Sequence, residues 1–455
     1  MSVICRIFGL WACGLLLTGV SVPAVGTDYG LRDRPTSQVP LLVPKLAGET
    51  APPLLSQTGA FEDTRRLVPN HSLIPYVLNV PFWSDGAGKS RWIHVPSEPT
   101  AARKPSIRFS SAGAWSFPAG TVFVKHFEMA TNEALPSRTR RLETRLLICD
   151  STGGVFGLTY KWRPDNSDAD LLATNLNETI AIQTANGMRT QTWYYPSRED
   201  CRLCHTARAG GILGVNARQL NRDCTYPSGI TDNQLRSWNH VGLFEPRLDE
   251  SAIVSLPKLA RPEDSACSLE ERARSWLDAN CSQCHRPGGT VASFDARYET
   301  PLPRQGLIDG QILIDEGIDN ARVIAPKDIW RSILFLRVSS LEAFKMPPLA
   351  HNVIDRKSTD LLKEWINSLP GRPVVTPPTI TPRGGHFTQP VDITITCAEP
   401  GAIIHYTVDG SAPGKSDPIY TGPIKVTQPT VVRARALKPE FTKSITVQEV
   451  FMVGD

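Results

Sequence analysis

The sequence has little net charge, because 49 lysines and arginines are opposed by 45 aspartates and glutamates, which leaves +4. This balance argues against a nucleic-acid-binding protein or a polybasic membrane surface. Histidine and methionine are scarce, with nine and five residues in 455. The sequence contains no Walker loop, dinucleotide fingerprint or Ser-His-Asp pattern, so no motif supports nucleotide-dependent or serine-hydrolase chemistry.

Long apolar runs are absent after residue 26, so no later segment is expected to span a bilayer. Residues 1–26 carry Arg6, a nearly unbroken apolar stretch over 7–22, and small residues at 24–26. This pattern predicts a secretory signal peptide, and a retained anchor helix fits less well because the apolar run is short. We therefore expect a soluble mature protein in the periplasm or outside the cell, where disulfides can form.

Changes in composition and hydrophobic pattern along the sequence predict a multidomain chain. Its expected segments are an irregular arm (27–55), a β-rich domain (56–250), a helical domain (262–371), a proline-rich linker (372–382) and a β-sandwich (383–455). In the helical segment, Ser268 and Glu271 form a capping box, and Asp355 can cap a second helix. We expect this segment to be an all-α domain with a long internal loop.

Eight cysteines remain outside the signal, and four of them lie in two CxxCH motifs. The first motif is Cys201-Arg-Leu-Cys204-His205 and the second is Cys281-Ser-Gln-Cys284-His285. A histidine directly after both CxxC pairs is expected by chance only about once in 2,500 cases. In CxxCH, the two sulfurs form thioethers with the vinyl groups of a haem and the histidine binds its iron. The motifs therefore predict two covalently bound c-type haems.

Two other uses of CxxC stay open. A shared zinc site typically places its cysteine pairs about 15 to 20 residues apart, whereas most of a domain separates these pairs. A thioredoxin-like redox pair needs a βαβ setting, which neither motif has. Both alternatives fit the sequence less well than haem.

A haem iron held by one histidine needs a second axial ligand or keeps an open position. Met346 precedes two prolines and is the candidate opposite His285, although a methionine can also merely fill a core gap. Opposite His205 we prefer His126, which shares a strand face with Val122 and Val124. Other candidates for that position are Met129, Met188 and His240. A five-coordinate first iron is the alternative.

Residues 268–370, with CxxCH after one helix, Met346-Pro347-Pro348 in a loop and a closing helix, resemble a class I cytochrome c domain. That resemblance implies that Cys281, Cys284, His285 and Met346 hold a haem. Residues 70–370 are similar to a family of bacterial exported dihaem c-type cytochromes through VPFWSDGAGKSRWIHVP, FPAGTVFVKHF, RRLETRLL, WYYPSREDCRLCHT and NCSQCHRPGG.

The C-terminal strands carry HYTVDGSAP (405–413) and YTGP (420–423). Over 380–453 they resemble the immunoglobulin-like C-terminal domain of chitobiases and related β-hexosaminidases. This resemblance implies no catalytic residues. Because the segment contains no tryptophan, we favour a spacer or docking domain over a sugar-binding surface.

The sequence thus predicts an electron carrier that works between exported redox partner proteins. One alternative is a haem enzyme that acts on peroxide or a nitrogen oxide at an open first haem. Another is an electron donor that docks on a polysaccharide. Of the remaining cysteines, Cys149 and Cys397 are expected to be buried free thiols, and Cys224 and Cys267 are candidates for a disulfide.

Overall fold

A computed structural model describes residues 28–97, 104–290 and 293–454. The predicted signal peptide at 1–26 lies outside the described residues. Within those residues, no helix has the length and apolar character needed to cross a membrane.

A six-stranded antiparallel sheet forms the centre of the N-terminal half. Its strands, in spatial order, are Ile74–Pro75 (β3), Gly88–His94 (β4), Val122–Ala130 (β6), Thr139–Cys149 (β7), Val155–Trp162 (β8) and Ala169–Leu171 (β9). The three longest coincide with segments in which β-branched and alternating residues predict strands. The sheet is therefore the element that the sequence predicts best.

Short elements surround this sheet. Four two-stranded pairs are Phe61–Asp63 (β1) with Val68–Pro69 (β2), Ile107–Arg108 (β5) with Phe244–Glu245 (β14), Leu176–Thr184 (β10) with Gly187–Tyr195 (β11), and Asp223–Thr225 (β12) with Thr231–Asn233 (β13). The helices of this half are Arg198–Cys204 (α1), Ala217–Leu220 (α2) and Gln234–His240 (α3). Short 3-10 turns lie at Leu55–Thr58, Ala207–Ala209, Glu250–Ser255 and, later in the chain, Leu302–Arg304.

The two faces of the six-stranded sheet differ in chemistry, because successive side chains of a strand point to opposite faces. One face is apolar and packs Val124, Leu146 and Leu158 into a closed core. On the other face, Arg91 pairs with Lys125, which pairs with Arg145 on the next strand. Helix α1 packs against β8 of this sheet.

The expectation of an all-α, cytochrome c-like domain over 262–371 is wrong. Three helices occur there, Leu269–Cys281 (α4), Ile333–Val338 (α5) and Arg356–Ser368 (α6), and most of the backbone between α4 and α6 is irregular. Helices α4 and α6 do pack together, and Ser268 and Asp355 cap them as predicted. Two well-capped helices do not imply a helical connection, because capping is a local signal.

A short segment after β3 joins the sheet half to the region of α4. The Trp83 backbone N–H donates to Asn280 Oδ1 over 2.8 Å, and its indole N–H donates to the Val353 carbonyl over 2.9 Å. The Asp85 carboxylate accepts from the backbone N–H groups of Asn352 and Val353, at 2.6 and 2.9 Å. We call Trp83 and Asp85 the clamp, because they fasten the end of α4 and the loop after Met346 to the sheet half.

The C-terminal region consists of two facing sheets. One contains Thr379–Thr381 (β15), Val391–Thr396 (β17) and Ile424–Val426 (β19). The other contains Gly385–Phe387 (β16), Val447–Val453 (β21), Thr430–Leu437 (β20) and Ile403–Thr407 (β18). Their inner faces share a core that includes Ile393, Val432 and Phe451. The expected C-terminal β domain is confirmed.

A buried arginine joins this region to the preceding one. Arg331 is 4% exposed and pairs with Asp328 at 2.7 Å and Asp319 at 3.3 Å. Its guanidinium also donates to the carbonyls of Lys443 and Ser444. Since both carbonyls belong to the C-terminal region, we call this contact the Arg331 joint.

Candidate functional site

Helix α1 presents the first motif, and its start is strongly specified. Ser197 caps the helix in a reciprocal capping box with Asp200. The same Asp200 carboxylate accepts from the Tyr194 hydroxyl at 2.6 Å. Because Cys201 and Cys204 are three residues apart on this helix, their sulfurs lie on one side of it.

His205 is held in a defined tautomer. Its backbone N–H donates to the Cys201 carbonyl at 3.0 Å, which ends the helix. Its ring Nδ1 lies 2.7 Å from the Gly211 carbonyl, and a carbonyl only accepts, so Nδ1 carries the proton. Burial lowers the pKa of His205 to about 4, which keeps the ring neutral. The Nε2 lone pair therefore remains available to a metal ion.

Gly157 of β8 lies directly beneath Cys201. A Cβ atom at Gly157 would come within 2.6 Å of Cys201 Sγ. Only glycine leaves enough space at this position for the motif to rest on the sheet.

The second motif follows the last turn of α4. The His285 N–H donates to the Cys281 carbonyl at 2.9 Å, and the His285 ring stacks on Phe294 with centroids 4.3 Å apart. His285 Nδ1 is buried without a hydrogen-bond partner, and burial lowers the pKa of His285 to about 4. A Cβ at Gly289 would lie 2.2 Å from the Cys284 carbonyl oxygen, so the turn after the motif also requires glycine.

The fold brings the two motifs together. An interaction between the thiols of Cys204 and Cys284 moves their pKa values apart and raises that of Cys204. The Arg286 guanidinium donates to the Arg208 carbonyl at 3.0 Å. The Arg208 side chain lies against Gly288, where a Cβ would be 3.1 Å from its Cζ. The two motifs thus form one site at the junction of the sheet half and the α4 region.

Arg337 connects Met346 to the second motif. The Met346 backbone N–H donates to the Arg337 carbonyl at 3.0 Å. After burial, the charge of Arg337 is the second cause of the lowered pKa of His285. Met346 is thus hydrogen-bonded through its backbone to a residue whose charge acts on His285, and the side chain of Met346 is half-buried.

His126 lies on the face of the sheet opposite to α1. It shares the apolar face with Val122 and Val124, as the alternation predicts, and its Nδ1 is 2.9 Å from Thr144 Oγ1. Its ring meets Trp162 edge to face at 5.6 Å. Because Cys201 rests over Gly157 on the other face, the sheet separates His126 from His205.

The three other candidates for that position are also engaged elsewhere. Met129 is buried in a core with Phe127 and Trp193. Met188 is 65% exposed on β11. His240 stacks on Tyr29 with ring centroids 3.6 Å apart. The structure brings none of these residues to the first motif.

The described cysteines are all free thiols. The candidate disulfide between Cys224 and Cys267 is not formed. Cys149 is buried as expected, and burial raises its pKa to about 12. Cys397 is only half-buried, with its thiol 3.2 Å from the Thr376 carbonyl.

The sequence did not single out Arg91, which lies beside Lys125 on the neighbouring strand. Both residues lie on the same sheet face as Gly157, and the charge of Lys125 lowers the pKa of His205 after burial has done so. The available signal was the strand register, since GKSRWIH and TVFVKHF place a cation on one face of each strand.

The donor atoms of the two motifs fit a covalently attached haem. No group of three or more His, Cys, Asp or Glu side chains that could hold a metal ion occurs among the described residues. His205 offers its Nε2 as one nitrogen ligand, and each cysteine pair directly precedes a histidine. One nitrogen with two sulfurs that bond to the macrocycle is the donor set of a covalent haem.

Two sheets of three and four strands, packed around one core, define an immunoglobulin-like β-sandwich at the C-terminus. Residues 382–448 match the family Chitobiase/beta-hexosaminidase C-terminal domain. The chain matches no curated protein and no solved structure.

Proposed function

We propose that the protein is an exported dihaem c-type cytochrome that transfers electrons between periplasmic or extracellular partner proteins. The observation that supports this proposal most is the meeting of the two CxxCH motifs at one site, with Cys204 beside Cys284. Electron transfer between two redox centres requires that they be close. The two motifs are far apart in the sequence, so it is the fold that brings them together.

The residues at each motif have distinct roles in this proposal. Each thiol of Cys201, Cys204, Cys281 and Cys284 adds its S–H bond across one vinyl C=C bond, so attachment consumes no oxidant or reductant. His205 would bind the first iron through Nε2, with Nδ1 held by Gly211. His285 and Met346 would hold the second iron. A haem at each motif would supply a one-electron couple at its iron.

Burial of the site also suits electron transfer. His205 and His285 both have pKa values lowered to about 4 by burial, so neither ring takes up a proton near neutral pH. An uncharged ring in a site of low dielectric constant is preorganised for metal binding and does not exchange protons with the solvent near neutral pH.

The first test is the mass and spectrum of the mature protein made in a host that attaches c-type haem. We expect the mass of the polypeptide plus two haems. Cys201→Ala/Cys204→Ala and Cys281→Ala/Cys284→Ala should each remove one haem, and Cys149→Ala should remove none. A colourless protein, or one that carries zinc at the motifs, would refute the proposal.

A second candidate function is an enzyme with an open first haem that acts on peroxide or a nitrogen oxide. It is favoured by the position of His126 behind the sheet and by the engagement of Met129, Met188 and His240 elsewhere. Carbon monoxide distinguishes the two functions in the same preparation. Binding by the reduced protein, lost in Cys201→Ala/Cys204→Ala, would favour the enzyme, and no binding would favour the carrier.

For the C-terminal sandwich we propose a spacer or docking role, with polysaccharide docking as the alternative. Its tyrosines Tyr406 and Tyr420 meet edge to face at 6.3 Å, which is not the flat platform on which sugar rings stack. We expect the full-length protein not to be retained on insoluble chitin or cellulose. Retention that disappears on deletion of 380–455 would support the polysaccharide alternative.

A further inference from the structure

Three cations lie side by side across the sheet face beneath the first motif. Arg91 of β4 pairs with Lys125 of β6, which pairs with Arg145 of β7. Residues in register on neighbouring strands have their Cβ atoms about 5 Å apart on one face. We call Arg91, Lys125 and Arg145 the cation ladder. Like charges placed this way repel one another, so the ladder needs an explanation.

Only one member of the ladder has a carboxylate partner among the described residues. Arg145 makes two hydrogen bonds to the buried Glu143, at 2.6 and 3.0 Å. Lys125 Nζ lies over the rings of Phe127 and Phe82, at 4.8 and 5.6 Å. Arg91 is 9% exposed, and its Nη2 is buried with no hydrogen-bond partner.

A fourth cation adds to the excess of positive charge on this face of the sheet. Lys89 lies two residues before Arg91 on the same strand face, and its Nζ donates to the Ala87 carbonyl at 3.1 Å. Burial, followed by the charges of Arg91 and Arg145, lowers the pKa of Lys89 to about 7. The charges of Asp85 and Asp355 act on Lys89 and that of Glu143 on Lys125, but among the carboxylates of the described residues only that of Glu143 is hydrogen-bonded to one of the four cations. Burial of a charge without a hydrogen-bonded partner strongly destabilises a fold.

The ladder borders the first motif. The charge of Arg145 acts on the thiols of Cys201 and Cys204, and the charges of Lys125 and Arg145 act on His205. Gly157, on which Cys201 rests, lies on the same face of the sheet, one strand beyond Arg145. A group attached at the two cysteines would thus lie against the face that carries the ladder.

We propose that the cation ladder binds the carboxylates of the group attached at Cys201 and Cys204, which are the two propionates of the first haem. This inference rests on the proposed function. The planar fork of Arg91 suits a carboxylate, and Lys125 adds a second positive charge next to it. Two propionates would bring the charge of the ladder and Glu143 close to neutrality. A free oxyanion has the same chemistry and is the rival source of the negative charge.

The test compares Arg91→Met and Lys125→Met in two backgrounds. In the protein with both haems, each substitution should lower the melting temperature and lower the reduction potential of the first haem, because a cation near a haem stabilises the reduced form. In the Cys201→Ala/Cys204→Ala background, the same substitutions should leave the melting temperature unchanged or raise it, because they remove a buried cation that has no partner. Arg138→Met, at an exposed position before β7, is the matched control and should have no effect in either background.

The outcomes separate this inference from the proposed function. A protein without haem refutes the proposed function itself. A protein that carries two haems, but in which Arg91→Met and Lys125→Met behave like Arg138→Met, refutes only the proposal that the ladder binds the propionates. If inorganic phosphate stabilises the two-haem protein in a saturable way, and Arg91→Met abolishes that effect, the ladder binds a free anion and the propionate assignment is overturned.

Discussion

In the dihaem protein proposed above, replacing Gly157 by valine should leave one covalent haem instead of two. A Cβ atom at this position would lie 2.6 Å from Sγ and 3.0 Å from Cβ of Cys201. The Cβ atom of Cys201 is fixed to the backbone of α1, so rotation of Sγ alone does not relieve the overlap and α1 has to move away from β8. Cys201, Cys204 and His205 would move with it, and the second motif on α4 would not.

Mass spectrometry of the intact protein measures this effect directly, as the loss of one haem from most molecules. Gly157→Ala should lose less, because alanine adds only the Cβ atom. Gly88→Val, on β4 of the same sheet, is the control, since a Cβ there meets Glu128 at an ordinary 3.4 Å. Full retention of both haems by Gly157→Val would show that the first motif does not depend on its contact with the sheet.

Replacing Asp85 by alanine should release the loop that follows Met346. Asp85 is 3% exposed and its Oδ1 accepts two backbone N–H groups, those of Asn352 and Val353. A buried donor left without a partner costs about 1–3 kcal/mol, and these two donors are half-buried, so we expect the free energy of unfolding to fall by roughly 1–3 kcal/mol. Because the clamp also positions the Met346 loop, the second of the two proposed haems should become accessible to carbon monoxide.

Urea unfolding and a carbon monoxide titration of the reduced protein measure these two effects. Asp165→Ala is the matched control, since Asp165 also accepts a backbone N–H, from Ser167, but is exposed. Asp85→Asn keeps one acceptor oxygen and should have an intermediate effect. If Asp85→Ala is as stable as Asp165→Ala, the clamp does not hold the two halves together.

Local signals predicted the local structure well. The alternation in TVFVKHF placed His126 on one strand face with Val122 and Val124, and the structure confirms that shared face. The alternation contains no information about which face α1 packs on, because that depends on tertiary contacts such as Cys201 on Gly157. The first motif is visible in the sequence, but the sequence does not show on which side of the sheet the motif lies.

The same limit explains the incorrect helical domain. The caps of α4 and α6 were predicted because capping involves residues three positions apart. The chain between them takes left-handed backbone conformations at Asp309, Glu316, Asn320 and Lys327, which no hydrophobic periodicity reveals. The meeting of Cys204 and Cys284 was equally hidden, since it arises from contacts between distant parts of the chain.

The segment that reads as a linker in the sequence has little freedom in the fold. Val375 is fully buried, its N–H donates to the Thr442 carbonyl, and the Arg331 joint fixes the next contact along the interface. These buried contacts hold the C-terminal sandwich against the preceding region. If the sandwich docks a partner as proposed, that partner is held in a fixed orientation relative to Cys204 and Cys284.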